Sequence, residues 1–138
     1  MIITETISVK TGGHSDIINI TSEVEQQLAD SGVSNGIVTL FIAGSTAGVT
    51  TIEYEPGLVS DFQAMWQRNV SQDIPYEHDR RWGDGNGYSH TRASLLGASL
   101  VIPFSDKKLI LGNWQQIIII DFDNRPRTRQ IVVQIMGE

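Results

Sequence analysis

Four consecutive isoleucines, Ile117–Ile120, run straight into Asp121 and set the tightest limit on what this chain can fold into. β-Branched side chains favour extended backbone, so the run reads as part of a strand over 114–122. Such a strand needs apolar cover. A second sheet or another subunit would supply that cover. No strictly apolar run is longer, and four residues fall far short of the roughly 20 that span a bilayer.

The 138 residues suit one domain with one core, and no internal repeat, linker or low-complexity tract divides residues 1–138. With 40% hydrophobic and 19% charged residues, the composition is that of a globular protein. There is no cysteine, which removes disulfides, thiolate nucleophiles and zinc–sulfur sites. The N-terminus lacks a basic region followed by an apolar stretch, so no signal peptide is expected and a cytoplasmic location is the default. A net charge of −6 argues against a nucleic-acid partner, which needs a positive footprint, and the short apolar runs argue against a membrane one.

Alternation and β-branching predict further strands at 2–10, 36–43, 49–54, 99–104, 108–111 and 128–136, with Ser105-Asp106-Lys107 as a hairpin turn. The 36–43 strand is nearly all apolar and is expected to be buried on both faces. Ser22 with Glu25 three residues on has the form of a capping box opening a helix that Gly32 ends. Leu58, Phe62, Met65, Trp66 and Val70 recur at helical spacing, so a second helix follows Glu55-Pro56-Gly57. Residues 71–88 read as a long polar loop, and a short helix spans roughly 90–96. The order gives an α+β fold with mostly antiparallel sheets.

Chemistry concentrates between Tyr76 and His90, which holds two of the three histidines. Histidine is the usual proton carrier near neutral pH and the commonest neutral metal ligand. Asp84 lies midway between His78 and His90, and two imidazoles with one carboxylate can make an open metal site. Gly83, Gly85 and Gly87 allow the backbone to bring them together. A loop whose His and Asp satisfy backbone groups is the plainer alternative. Glu53 ends an apolar strand, where a carboxylate either emerges into water or is paired. Gly44-Ser45-Thr46-Ala47-Gly48 interrupts two apolar runs; it is either a tight bulge or a bend offering N–H groups and hydroxyls to a phosphate. Arg125, Arg127 and Arg129 share strand parity with Asp121 and Asp123, so surface ion pairing competes with phosphate binding by Arg127. His14, in a Gly-Gly-His-Ser turn, is expected in solvent.

Several segments in order resemble the YjbQ-like, or secondary thiamine-phosphate synthase, family. They are Ser45-Thr46-Ala47-Gly48, Thr51-Ile52-Glu53-Tyr54-Glu55-Pro56-Gly57, Tyr76-x-His78, Asp84-Gly85-Asn86-Gly87-x-x-His90, Leu96-Gly97, Leu111-Gly112-x-Trp114-Gln115 and Asp121 to Arg127. The resemblance implies a two-sheet β-sandwich with attached helices that assembles as a homotrimer. It also implies a weak activity joining a pyrimidine diphosphate to a thiazole phosphate with release of pyrophosphate. Carried over by position, Glu53, His78, Asp84, Asn86, His90, Trp114 and Gln115 fall on the family's site. This chain reads Gly44-Ser45-Thr46 where many members have His-Thr-Thr or His-Thr-Ser, and Ile52 where many have Asn.

Together these readings give catalytic roles to His78, His90, Asp84 and Glu53. Substrate binding falls to Ser45, Thr46, Asn86, Trp114, Gln115 and Arg127, with Trp114 or Tyr88 stacking on a heteroaromatic ring. His78, Asp84 and His90 would hold a divalent metal, magnesium or zinc. The expected partner is a small phosphorylated substrate. A non-catalytic binding protein for a phosphorylated metabolite or a metal is the alternative, and a purely structural trimer is a third.

Overall fold

The computed structural model describes residues 1–138. Its elements are β1 (Ile2–Thr11), β2 (Asp16–Asn19), α1 (Thr21–Ser31), β3 (Gly36–Ile42), β4 (Ala47–Glu53) and α2 (Pro56–Asn69). They continue with α3 (Glu77–Trp82), α4 (Gly87–Leu96), β5 (Ser99–Ser105), β6 (Lys108–Leu109), β7 (Gln115–Asp121) and β8 (Arg127–Gly137). The strands form a five-stranded sheet, β1-β8-β3-β5-β6, and a three-stranded sheet, β2-β7-β4. Every strand pairing is antiparallel, and the expected α+β sandwich with attached helices is the fold. No helix is long and apolar enough to cross a membrane.

The isoleucine run explains the layering. All four side chains have no exposed surface. Ile117 and Ile119 join the larger core between the two sheets, with Leu40, Ile42, Ile131 and Val133. Ile118 and Ile120 face the other way, into a second core with Trp66, Val70, Ala93 and Phe122. A second sheet therefore covers one face of β7, and helices α2 and α4 cover the other. Within one chain, no second subunit is needed there.

β3 does not follow the expectation of two-sided burial. Its burial alternates, and Ile37 and Phe41 are exposed on the outer face of the five-stranded sheet. Met136, paired with Ile37, and Val101, paired with Thr39, are exposed beside them. Apolar sequence alone could not show that nothing in the chain covers this face.

Local signals behave unevenly. The Ser22–Glu25 box does not form; α1 starts two residues earlier, with Ile20 at the cap position, and Asn19 Oδ1 accepts from the Thr21 N–H at 3.0 Å. Gly32 ends that helix in the left-handed region as expected. Glu55 caps α2 by accepting from the N–H groups of Gly57 and Leu58, with Pro56 at the first helical position. The 71–88 segment is not a structureless loop, because it contains α3, and α4 begins at Gly87 rather than at His90. The six residues of α3 are too few to show a helical period. β2 had no sequence signal of its own.

Candidate functional site

Two chain crossings meet at one end of the sandwich. Between β3 and β4 the chain passes from the larger sheet to the smaller through Ala43–Thr46. Between β7 and β8 it returns through Phe122–Pro126. The crossings are tied together, since Phe122 N–H donates to the Thr46 carbonyl at 2.9 Å and Ala43 N–H donates to that of Gln130 at 3.0 Å. Helices α3 and α4 pack against this seam and enclose a cavity of about 430 Å³. Its walls are Gly44, Ser45 and Thr46 with Arg127 and Arg129 on the strand side, and His78, Trp82, Asp84, Asn86 and His90 on the helix side.

A buried ionic network supports the strand wall. Asp121 and Asp123 have no exposed surface. The Arg129 guanidinium donates from Nε to Asp121 Oδ2 and from Nη2 to Oδ1, both at 2.7 Å, and from Nη2 to the Thr46 hydroxyl at 2.6 Å. The Thr11 hydroxyl donates to Asp121 at 2.6 Å. Arg127 Nε donates to Asp123 Oδ2 at 2.9 Å, with Nη2 at 2.7 Å from the same oxygen. Burial pushes the Asp123 carboxyl up, but hydrogen bonds from Asn86, the Asn124 N–H, Arg127 and Thr46 outweigh it and hold the group at about 2. The expected pairing of these arginines and aspartates exists, but not as weak surface pairs, because both carboxylates are out of water. Arg125 is exposed and takes no part.

The helix wall brings the imidazoles together. The ring centroids of His78, on α3, and His90, on α4, are 4.4 Å apart and tilted by 41°. Asp79 Oδ1 fixes the junction by accepting the Gly87 N–H at 2.8 Å. Only glycine fits there: a Cβ at 87 would stand 2.6 Å from Tyr76 Cβ. Burial first, and then the neighbouring His78, lower the His90 pKa; the charges of Asp123, Asp84 and Asp79 oppose this without outweighing it. His78 Nδ1 and Asn86 Oδ1 are buried without a hydrogen-bond partner. Arg92, buried on the far side of α4, donates to Val70 O, Ser15 Oγ and Gln67 Oε1 and so ties α4 to α2 and to the β1–β2 turn.

Of the residues expected in the site, Ser45, Thr46, His78, Asp84, Asn86, His90 and Arg127 share this cavity. Glu53, Trp114 and Gln115 do not. Glu53 pairs with Gln115 at the opposite end of β4, a strand length of roughly 20 Å away, where Trp114 is 75% exposed beside a separate hollow. Glu53 therefore does not complete the histidine cluster. Tyr88 is buried beneath Arg92 and lines no part of the cavity. The exposed aromatic at the mouth is Trp82, at 65%. Sequence reasoning gave no individual site role to Gly44, Trp82 or Arg129, which also line the cavity. The shared parity of Asp121, Asp123, Arg127 and Arg129 was the signal that could have found Arg129.

The metal set expected from His78, Asp84 and His90 is not assembled. All three line the cavity, but no three of the chain's His, Asp or Glu side chains stand in an arrangement that would hold an ion. Asp84 is exposed, and what it contributes to the fold is its carbonyl, which accepts from Asn124 Nδ2 at 2.8 Å.

A two-sheet sandwich with a histidine pair at the crossing seam defines the class. The family model described as UPF0047 protein YjbQ-like matches residues 5–138, and the chain belongs to that family. A UPF0047 protein of Methanothermobacter thermautotrophicus is 36% identical over 137 residues, 99% of this chain and 94% of that one. UPF0047 protein YugU of Bacillus subtilis is 34% identical, covering 96% of this chain and 98% of its own. The crystal structure of a protein of unknown function from Sulfolobus solfataricus P2 superposes with a TM-score of 0.95 at 33% identity, covering 100% of this chain and 99% of that one. A hypothetical protein from Aeropyrum pernix K1 gives 0.91 at 29% identity, with 99% of both chains covered.

Proposed function

We propose that this chain is an enzyme of the secondary thiamine-phosphate synthase type, joining a pyrimidine diphosphate to a thiazole phosphate with release of pyrophosphate. One observation carries the reading: two imidazoles in ring contact face two arginines across a single polar cavity. In that reaction a carbon–nitrogen bond forms to the thiazole, and the carbon–oxygen bond to the diphosphate breaks. The electron pair leaves on the diphosphate oxygen. Guanidinium hydrogen bonds from Arg127 and Arg129 offset the charge that develops there. His90, favoured in its neutral form, can accept a proton or a hydrogen bond from the substrate, with His78 positioned to share it. Trp82 offers a ring face at the mouth for a heteroaromatic group.

The test is product formation from the two precursors, measured as thiamine phosphate and pyrophosphate. His78→Ala and His90→Ala should each lower turnover by about 100-fold or more while the far-ultraviolet dichroism stays unchanged. Full turnover in both variants would remove the histidine pair from the mechanism. Runs with and without magnesium or zinc belong to the same assay.

A homotrimer is part of the proposal, with the exposed face around Phe41, Val101 and Met136 as its contact; sedimentation tests it. A binding protein without turnover is the second reading. It is favoured by the charge balance of the strand wall, where each arginine already faces a buried aspartate. Saturable binding of the precursors without product would select it.

A further inference from the structure

Arg127 and Arg129 are held in the same way, and that leaves the same atom unused on each. Both engage a buried carboxylate through Nε and Nη2, so Nη1 of each guanidinium makes no hydrogen bond within the chain. They sit two apart on β8 and line one cavity. The carboxylates stand behind them and fix their planes.

Gly44 faces this pair. Its φ is +115°, and a Cβ there would lie 2.6 Å from Arg129 Nη1. Any side chain at this position would collide with the one free donor of a guanidinium that is otherwise locked. Beside it, the N–H groups of Gly44, Ser45 and Thr46 donate to no backbone carbonyl. A run of unused backbone N–H groups next to guanidinium donors is the chemistry that receives an oxyanion.

We infer that Gly44, Ser45 and Thr46 with Arg127 and Arg129 form a seat for a phosphoryl group that works without a metal ion, and that the absent side chain at Gly44 opens Arg129 to it. Asn86, 5% exposed and with Oδ1 unpartnered, faces the same cavity from the helix side and would accept from the organic part of the ligand. The anionic end of the ligand then lies against the strands, and the bond to its organic part points toward the imidazole pair. The assignment deepens the proposed reaction and relies on it only for which phosphate ester is bound. The seat itself follows from the donors.

The experiment is calorimetric titration of the intact chain with pyrophosphate in excess EDTA, repeated with magnesium in place of EDTA. Saturable binding in EDTA is expected. Gly44→Ala should weaken it about tenfold or more by displacing the Arg129 donor, and Arg127→Lys by a similar factor through loss of the planar fork. Thermal melts establish that each variant is folded, and the EDTA titration of the unsubstituted chain decides the question even if one is not. Binding that needs magnesium, no binding in either condition, or full affinity in both variants would overturn the seat. Binding in EDTA without thiamine phosphate synthesis would sink the proposed reaction and leave the seat standing. Synthesis that starts only on adding metal would do the reverse.

Discussion

Replacing Asp123 with Asn removes the buried charge on which the strand wall is organised. The carboxylate accepts from Asn86, from the Asn124 N–H, from Thr46 and from Arg127. These bonds hold it at about 2 against burial, whereas an aspartate in the unfolded chain titrates near 3.9. The gap of about two pH units corresponds to about 2–3 kcal/mol of folding stability. Because the folded value is the lower one, this contribution is complete above about pH 4 and is lost as the pH falls through about 2. At neutral pH the substitution also leaves Arg127, whose side chain keeps about a third of its surface in water, beside a neutral amide. Urea unfolding of both proteins, followed by dichroism at a series of pH values from about 7 down to about 2, separates the two effects. The unsubstituted chain should lose about 2 kcal/mol more than Asp123→Asn by about pH 2. Parallel acid limbs would show that the folded chain does not stabilise this carboxylate, and the account of the strand wall would fail.

Three further outcomes follow from the geometry. A proton NMR titration should find His90 protonating at lower pH than a free histidine, and His78→Ala should raise its midpoint part of the way back; no change would mean the rings do not interact in solution. Ile119→Ala and Ile120→Ala should each cost about 3 kcal/mol in urea unfolding, one from each core, and a loss below about 1 kcal/mol in either would contradict burial of both faces of β7. Trp82→Ala should weaken calorimetric binding of thiamine phosphate about fivefold while Trp114→Ala leaves it unchanged, and the opposite pattern would place the ring at the other end of β4.

The sheets were legible wherever β-branched residues alternate or cluster, as by alternation in β1 and β8 and by clustering in β4 and β7. The length of those strands gives the pattern room to repeat. β2 has four residues and takes its shape from pairing with β7, a contact far away in sequence. The cap of α1 went astray because Asn19, just ahead of the expected Ser22, supplies the acceptor instead. For the site, the glycine-punctuated stretch correctly brought His78 and His90 together, since Gly83 and Gly87 do local work that spacing can reveal. Glu53, Trp114 and Gln115 enter only through the family resemblance, and because β4 and β7 are extended and paired they stand a strand length from Thr46. Arg129 was passed over because its value lies in a guanidinium locked by Asp121, a relation that strand parity suggests and only tertiary packing completes.

The run Ile117–Ile120 has a further consequence for how β7 finds its partners. Sliding this strand by one residue along β2 and β4 would exchange one isoleucine for another on each face, so hydrophobicity cannot tell the right alignment from the wrong one. Discrimination falls to the polar ends. The Thr21 hydroxyl accepts the Ile117 N–H at 2.8 Å, and at the other end Asp121 must meet both Thr11 and Arg129. The residues that shape the cavity thus also act as the stop against which an otherwise featureless ladder is indexed.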